Sequence, residues 1–398
     1  MTAGKIAICD LGRIITGKTP STGNSAFFDG EYPFVTPSDL DWKTYYCRTT
    51  ERTVTDEARN SLQNQFIPSD AVIVTCIGNT IGKCGISSVA CLTNQQINSI
   101  IPNKGINSKF VYYLIVHNIG VIRGFGLGGG SATPILNKTA FSSILLSVPS
   151  KRNWDGIASF LSTYDDLIEN NQRRMALLED AARQVYQEWF VRLRFPGYEH
   201  TRIVDGVPEG WQGKKLGDLA KINHKNLSNS SDGEIEYIDI ASVSPGQINE
   251  TTRYDLRDAP SRARRVVKHG DIIWSCVRPN RRSHAVIWNP PENLIASTGF
   301  AVISSRYLPT SFLYQALTTD SFVGYLENHT KGAAYPAVVA GDFKKAVILV
   351  PKDSLLSTFN DFVEPQMSKM HNLRFQNQKL RTARDLLLPK LMSGEISV

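Results

Sequence analysis

Six cysteines are spread over 398 residues, and no two of them stand as CxxC or at a zinc-binding spacing. Cys9, Cys47, Cys76, Cys84, Cys91 and Cys276 therefore read as buried, reduced thiols, not as a disulfide frame or a metal site. The seven histidines are scattered and none forms HExxH, so no metal centre is expected. No apolar run approaches the roughly 18 residues that a membrane span needs. The opening residues, MTAGKIAICDLG, lack the apolar core of a signal peptide. The expectation is a cytoplasmic chain with no membrane partner. No Ser-His-Asp order or paired-carboxylate motif stands out.

What is present is a globular composition, 41% hydrophobic and 20% charged, in a chain long enough for two or more domains. A net charge of +7 favours a polyanionic partner. Charge alone does not separate DNA from RNA or a membrane surface. The cations are bunched: Arg262, Arg264, Arg265 and Lys268 in one stretch, Arg278, Arg281 and Arg282 in the next. Singly these suit a solvated surface; as clusters they suit phosphate.

The dominant pattern is a heptad seam in which apolar residues recur at steps of four and three: Ile157, Leu161, Tyr164, Ile168, Asn171, Met175, Leu178, Ala182, Val185 and Trp189. A helix of that length needs a partner. The C-terminus supplies a weaker seam, Phe359, Val363, Gln366, Met370, Leu373, Asn377, Leu380, Arg384, Leu387 and Leu391, with Pro365 expected to start or kink it. Each seam carries an Asn-Gln pair, Asn171-Gln172 and Asn377-Gln378, and a buried seam Asn sets register. The plainer alternative is two unrelated amphipathic helices, each packed on its own domain.

Ahead of each seam the chain repeats itself. Gly270-Asp271-Ile272-Ile273-Trp274-Ser275-Cys276 answers Ser69-Asp70-Ala71-Val72-Ile73-Val74-Thr75-Cys76, and Phe312-Leu313-Tyr314 answers Phe110-Val111-Tyr112-Tyr113. Ile348-Leu349-Val350-Pro351 answers Leu146-Ser147-Val148-Pro149, and a Gly-to-Pro loop at 130–134 answers one at 332–336. The offset is about half the chain, so the reading is a tandem duplication, domain then helix, twice. Strand-like runs (Val72 to Cys76, Ile97 to Ile101, Ile144 to Val148) and a short helix (Phe110 to His117) make each domain mixed α/β. The boundaries are 1–150, 151–194, 195–352 and 353–398. Antiparallel pairing of the helices would give a pseudo-two-fold molecule. Two similar readers joined by a rigid spacer suit duplex DNA, whose major-groove faces recur about every 34 Å.

Three motifs invite an enzyme. Gly12 to Thr19 satisfies G-x-x-x-x-G-K-[ST], yet Pro20 follows at once where a phosphate loop needs a helix. Gly124 to Gly129 satisfies GxGxxG, but no strand precedes it and a flexible loop is expected. Asn289-Pro290-Pro291-Glu292 resembles the NPP-aromatic signature of amino-methyltransferases, with a glutamate where an aromatic must stack on the flipped base. All three fail on context.

The chain resembles the specificity (S) subunits of bacterial type I restriction–modification systems. The residues that carry the likeness are Trp189 to Glu199 (WFVRLRFPGYE), Arg384 to Ile396 (RDLLLPKLMSGEI) and the early loop Gly17-Lys18-Thr19-Pro20-Ser21. The resemblance implies a non-catalytic DNA-reading subunit with two target-recognition domains, each binding one half of a bipartite site. It implies helices that set the gap and dock two methyltransferase (M) subunits, with restriction (R) subunits joining them. S-adenosylmethionine, ATP and Mg would belong to those partners, with no cofactor in this chain. Phe160, Leu167, Leu177, Tyr186 and Phe190 widen the apolar stripe, as core or as an M-docking face.

Candidate DNA-binding residues are Lys18, Thr19, Asn79, Lys83, Asn94, Gln95 and Gln96 in the first domain. In the second they are Arg264, Arg265, Arg278, Asn280, Arg281, Arg282 and Lys331, chosen because Arg pairs with guanine and Asn or Gln with adenine. The spacer residues are Ile157, Leu161, Ile168, Asn171, Met175, Leu178, Val185, Met370, Leu373, Asn377, Leu380 and Leu387. Two other readings stay open: an enzyme binding nucleotide at Lys18, and a scaffold for proteins.

Overall fold

Both seams are helices. In the computed structural model, which describes residues 4–127, 134–228, 233–332 and 336–398, the central helix is Trp154–Tyr186 and the C-terminal helix is Asp353–Ser393. An acidic residue in the first turn of each, Asp155 and Asp353, faces the positive end of the helix dipole. The central helix continues as one wider turn, Gln187–Val191, and ends at Leu193, whose φ of 59° is left-handed, before Pro196 and Gly197. The C-terminal helix runs unbroken through Pro365, which neither starts nor ends it.

The chain divides into two compact units. One comprises Met1–Asn171 with Gln376–Val398, the other Gln172–Phe375. Each therefore contains half of both long helices. In the first unit Asp165 meets Arg384, and Asn171 meets Asn377. Lower numbers pair with higher ones, so the helices run antiparallel there. In the second, Ala182, Tyr186 and Phe190 share a core with Phe359, Val363, Met367 and Met370, again antiparallel. The paired helices form an antiparallel coiled coil.

The seam differs from the expected one at five positions. Asp165, Tyr186, Phe190, Met367 and Leu388 are buried where Tyr164, Val185, Trp189, Gln366 and Leu387 were expected. Among the spacer residues, Ile157, Leu161, Ile168, Asn171, Met370, Leu373 and Asn377 are buried. Met175, Leu178, Val185, Leu380 and Leu387 are partly covered.

The two globular parts repeat one order of elements. In the first unit, Gly12–Thr16, Ile97–Pro102, Val72–Thr75, Cys84–Ser87 and Tyr46–Cys47 form a sheet in that order, antiparallel except for the last pair. In the second, Ala220–Ile222, Phe300–Ser305, Ile272–Ser275 and His284–Val286 do the same. A further sheet in each has a parallel central pair: Phe28–Val35 with Cys91–Thr93, and Glu234–Ile238 with Leu294–Ser297. Each part is tied off by a strand near its start pairing with the strand before its long helix, Gly4–Ala7 with Leu145–Val148 and Gln212–Lys215 with Val347–Val350.

The motifs at the helix ends close these cores. Phe190 lies 5.0 Å, ring to ring, from both Phe312 and Phe359, and Phe195 stacks toward Trp211. Leu388, Leu391 and Met392 pack with Phe110, Trp154 and Ile157 in the first unit. Each fully buried Leu or Phe contributes about 1.5–3 kcal/mol. Tyr186 and Phe190 therefore belong to the second unit's core, while Phe160, Leu167 and Leu177 are exposed.

Cys47, Cys76, Cys84 and Cys91 are buried, Cys276 is half-buried, and all are free. Burial pushes the Cys76 thiol up to about 11 and Cys84 up to about 12, so neither supplies a thiolate near neutrality. Cys9 is exposed, against expectation, because it sits on the outer side of the short helix Ile8–Leu11 whose buried residues are Ile8 and Leu11. No helix among the described residues is long and apolar enough to cross a membrane.

Candidate nucleic-acid interface

In the first unit the predicted residues gather at one end of the five-stranded sheet. Gly12–Thr16 is a strand, and the chain leaves it as a loop in which Lys18 N–H donates to Thr93 O at 2.8 Å and Thr19 Oγ1 donates to Gln95 Oε1 at 2.6 Å. No helix opens at Lys18-Thr19, so the phosphate-loop pattern has none of the geometry that would cradle a phosphate. Asn94 is buried and turns its own loop, accepting from Gln96 N–H, while Gln95 is exposed. Cys76 N–H donates to Gln96 O, which brings this loop beside the connection that carries Asn79 and Lys83. Asn79 is exposed; Lys83 Nζ donates to Leu40 O at 2.9 Å.

Sequence reasoning missed two neighbours. Trp42 is half exposed, with Lys83 Nζ 6.0 Å and the Arg123 guanidinium 5.3 Å from its ring centre. An aromatic face flanked by two cations is a surface on which a base or sugar can stack beside a phosphate. Trp42 has no period to betray it. Arg123 lies in the helix Ile119–Leu127, which takes in Gly124 and Gly126 of the supposed flexible loop; Gly126 packs so close to Ile81 that a Cβ there would meet its side chain. Gly128 and Gly129 lie outside the described residues, as do most of the Gly-to-Pro loops at 130–134 and 332–336.

In the second unit the connection between Ile272–Ser275 and His284–Val286 carries Arg278, Asn280, Arg281 and Arg282 around the short turn Pro279–Arg281. Asn280 and Arg281 are exposed. Arg278 N–H donates to Pro336 O, and Lys331 and Ala337 exchange backbone hydrogen bonds, so Lys331 is brought to the same loop cluster. Arg282 pairs with Asp320, which is 90% exposed. Arg264 and Arg265 stand on the strand Ala263–Val266: Arg265 Nη1 donates to Asn226 Oδ1 at 2.7 Å and Arg264 Nε to Ser261 O. Burial pushes the nearby Cys276 thiol up to about 11, with Arg265 pulling the other way.

The two connections are left-handed at the same two places. Gly78 and Gly82 have φ of 55° and 92°; Arg278 and Arg282, 200 residues on, have 50° and 52°. Left-handed backbone costs a residue with a side chain about 1–2 kcal/mol. The first unit avoids that cost with glycine, and the second does not.

Residues 4–180 match the family model described as the type I restriction modification DNA specificity domain. The type I restriction enzyme MjaIX specificity subunit of Methanocaldococcus jannaschii is 27% identical over 415 residues, covering 98% of this chain and 93% of that one. The HindI specificity subunit of Haemophilus influenzae is 34% identical over 173 residues, 42% of this chain and 37% of that protein. The fold is similar to the crystal structure of the type I restriction–modification S subunit from M. genitalium, with a TM-score of 0.59 at 14% identity over 98% of this chain and 99% of that one. Residues 4–180 thus belong to the type I restriction modification DNA specificity domain family, and along nearly its whole length the chain is similar to a type I restriction enzyme specificity subunit.

Proposed function

We propose that the chain reads a two-part DNA site, one half by each globular unit, and that it holds no catalytic residue of its own. The observation that carries this reading is the repetition of one loop cluster: the connection at 78–83 beside 94–96 in the first unit, and that at 278–282 beside 331 and 337 in the second. The first offers exposed Asn79 and Gln95 beside half-buried Lys83, and the second exposed Asn280, Arg281 and Lys331, side chains suited to base edges and phosphates. Lys18, Thr19, Gln95, Asn79 and Lys83 serve the first half-site with Trp42 and Arg123. Arg264, Arg265, Arg278, Asn280, Arg281, Arg282 and Lys331 serve the second. Buried Asn94 acts through the turn it braces.

In this reading the coiled coil sets the unspecified gap and docks two methyltransferase subunits. Exposed apolar side chains support the docking role: Phe160 and Leu167 in the first unit, Leu177 and Phe362 in the second. Phe160 stands three residues after buried Ile157 and Phe362 three after buried Phe359, so each repeat offers the same feature once. Adenine methylation with S-adenosylmethionine, and ATP- and Mg-dependent cleavage by restriction subunits, belong to the partners.

The test is methylome sequencing of a host expressing this chain with its methyltransferase subunits. The expected result is one motif of two short specified halves around a fixed unspecified gap. A single uninterrupted motif, or none, would overturn the reading.

A further inference from the structure

The positive backbone angles at Arg278 and Arg282 are the least expected feature of the second unit. Glycine occupies both equivalent positions in the first, where the backbone is also left-handed, so that conformation does not itself call for arginine. At Gly82 an added Cβ would come within 2.8 Å of the Ile119 side chain; at the matching place Arg282 instead reaches Asp320. That partner is 90% exposed, where an ion pair adds little stability. Arg278 and Arg282 bracket a turn that presents Asn280 and Arg281 to solvent. Strain retained where glycine would serve points to a task for the side chains.

We propose that Arg278, Arg281 and Arg282 form the guanine-reading element of the second unit, so that the half-site it contacts is guanine-bearing at the positions they reach. The guanidinium fork matches guanine O6 and N7, a pairing that a glycine tip cannot make. The first unit, with glycines at both ends of its connection and Asn79 and Lys83 between and beside them, lacks this element and reads its half differently. This inference rests on the proposed two-part DNA reading.

The test uses the full chain with its methyltransferase subunits, selecting from a pool of randomised duplexes, in three forms: wild type, Arg278→Gly with Arg282→Gly, and Arg281→Ala. Thermal melting accompanies each. The glycine variant is expected to melt at the wild-type temperature or above it, since left-handed strain is relieved. Its preference for guanine in one half-site should fall roughly 10- to 100-fold per lost pairing, with the other half unchanged. Arg281→Ala should lose guanine preference in the same half. An unchanged motif would overturn the inference, as would equal loss across all sequences, which is the mark of phosphate contact. So would a clear drop in melting temperature for the glycine variant, which would make the arginines structural. If the wild type selects no two-part sequence, the functional reading itself fails and takes this inference with it.

Discussion

Asn171 Nδ2 donates to Asn377 Oδ1 at 2.9 Å across the helical pair, and Asn377 Nδ2 donates back to Ile168 O at 3.3 Å. Both side chains are buried, at 6% and 1% exposure, so each amide depends on the other. Asn377→Leu alone leaves the buried Asn171 amide without its partner and should cost about 1–3 kcal/mol. Replacing both with Leu removes the orphaned amide and should restore or exceed wild-type stability, while the register the pair specified is lost. Denaturant titration of the three proteins checks the order; a double variant less stable than the single would contradict it.

A second polar contact lies in the same seam. Asp165 is 2% exposed, accepts from Arg384 Nη1, and accepts from Tyr113 Oη at 2.6 Å. Burial lifts the Asp165 carboxyl above the usual carboxylate range. The Arg384 guanidinium, which keeps its charge, and the Tyr113 hydroxyl act the other way, both donating to the carboxylate. Arg384→Met strands a buried carboxylate and should cost about 3–5 kcal/mol. Asp165→Leu combined with Arg384→Met should recover most of that loss. Equal stability of the single and double variants, measured by denaturant titration, would show that the ion pair is not the source.

These two contacts mark where the sequence stopped being informative. Ile157, Leu161, Ile168 and Asn171 were legible because apolar and amide residues at heptad spacing have few other uses. Asp165 was not, since a carboxylate on a helix suggests solvent until Arg384, 219 positions away, is known to face it. The duplication was legible from the aspartate-led strands at 69–76 and 270–276. The meeting of Lys18-Thr19 with Asn94 to Gln96 was not, because strand order places it. The strain at Arg278 and Arg282 has no signature of its own and emerges only beside Gly78 and Gly82.

His284 gives the second unit a dependence on acid. It is buried between Trp274 and Tyr314, whose hydroxyl lies 3.2 Å from its Nδ1. Burial, with the Arg282 charge nearby, lowers its pKa to about 4. Between about 6.5 and 4 the unfolded chain binds a proton that the folded chain cannot, so stability falls as pH falls through that window. The loss should total about 3 kcal/mol at the acid end. Melting curves from pH 7.5 to 4.5 for wild type and His284→Gln should converge on acidification. Parallel curves would mean that His284 titrates normally in the fold.

The spacer role proposed for the paired helices leads to a geometric test. Four residues inserted in each long helix beside the Asn171–Asn377 bond add about one turn, roughly 6 Å at 1.5 Å per residue. The cores that anchor the helices, around Ile157, Leu388 and Leu391 in one unit and around Tyr186, Phe190 and Phe359 in the other, lie away from the insertion and keep their contacts. The selected DNA should therefore retain both half-sites while the unspecified gap lengthens by about two base pairs, since 6 Å is close to two steps of B-form DNA at about 3.4 Å each. Motif determination by selection or methylome sequencing reads both features at once. Altered half-sites with the old gap would mean that the helices shape the reading heads and leave the spacing to something else.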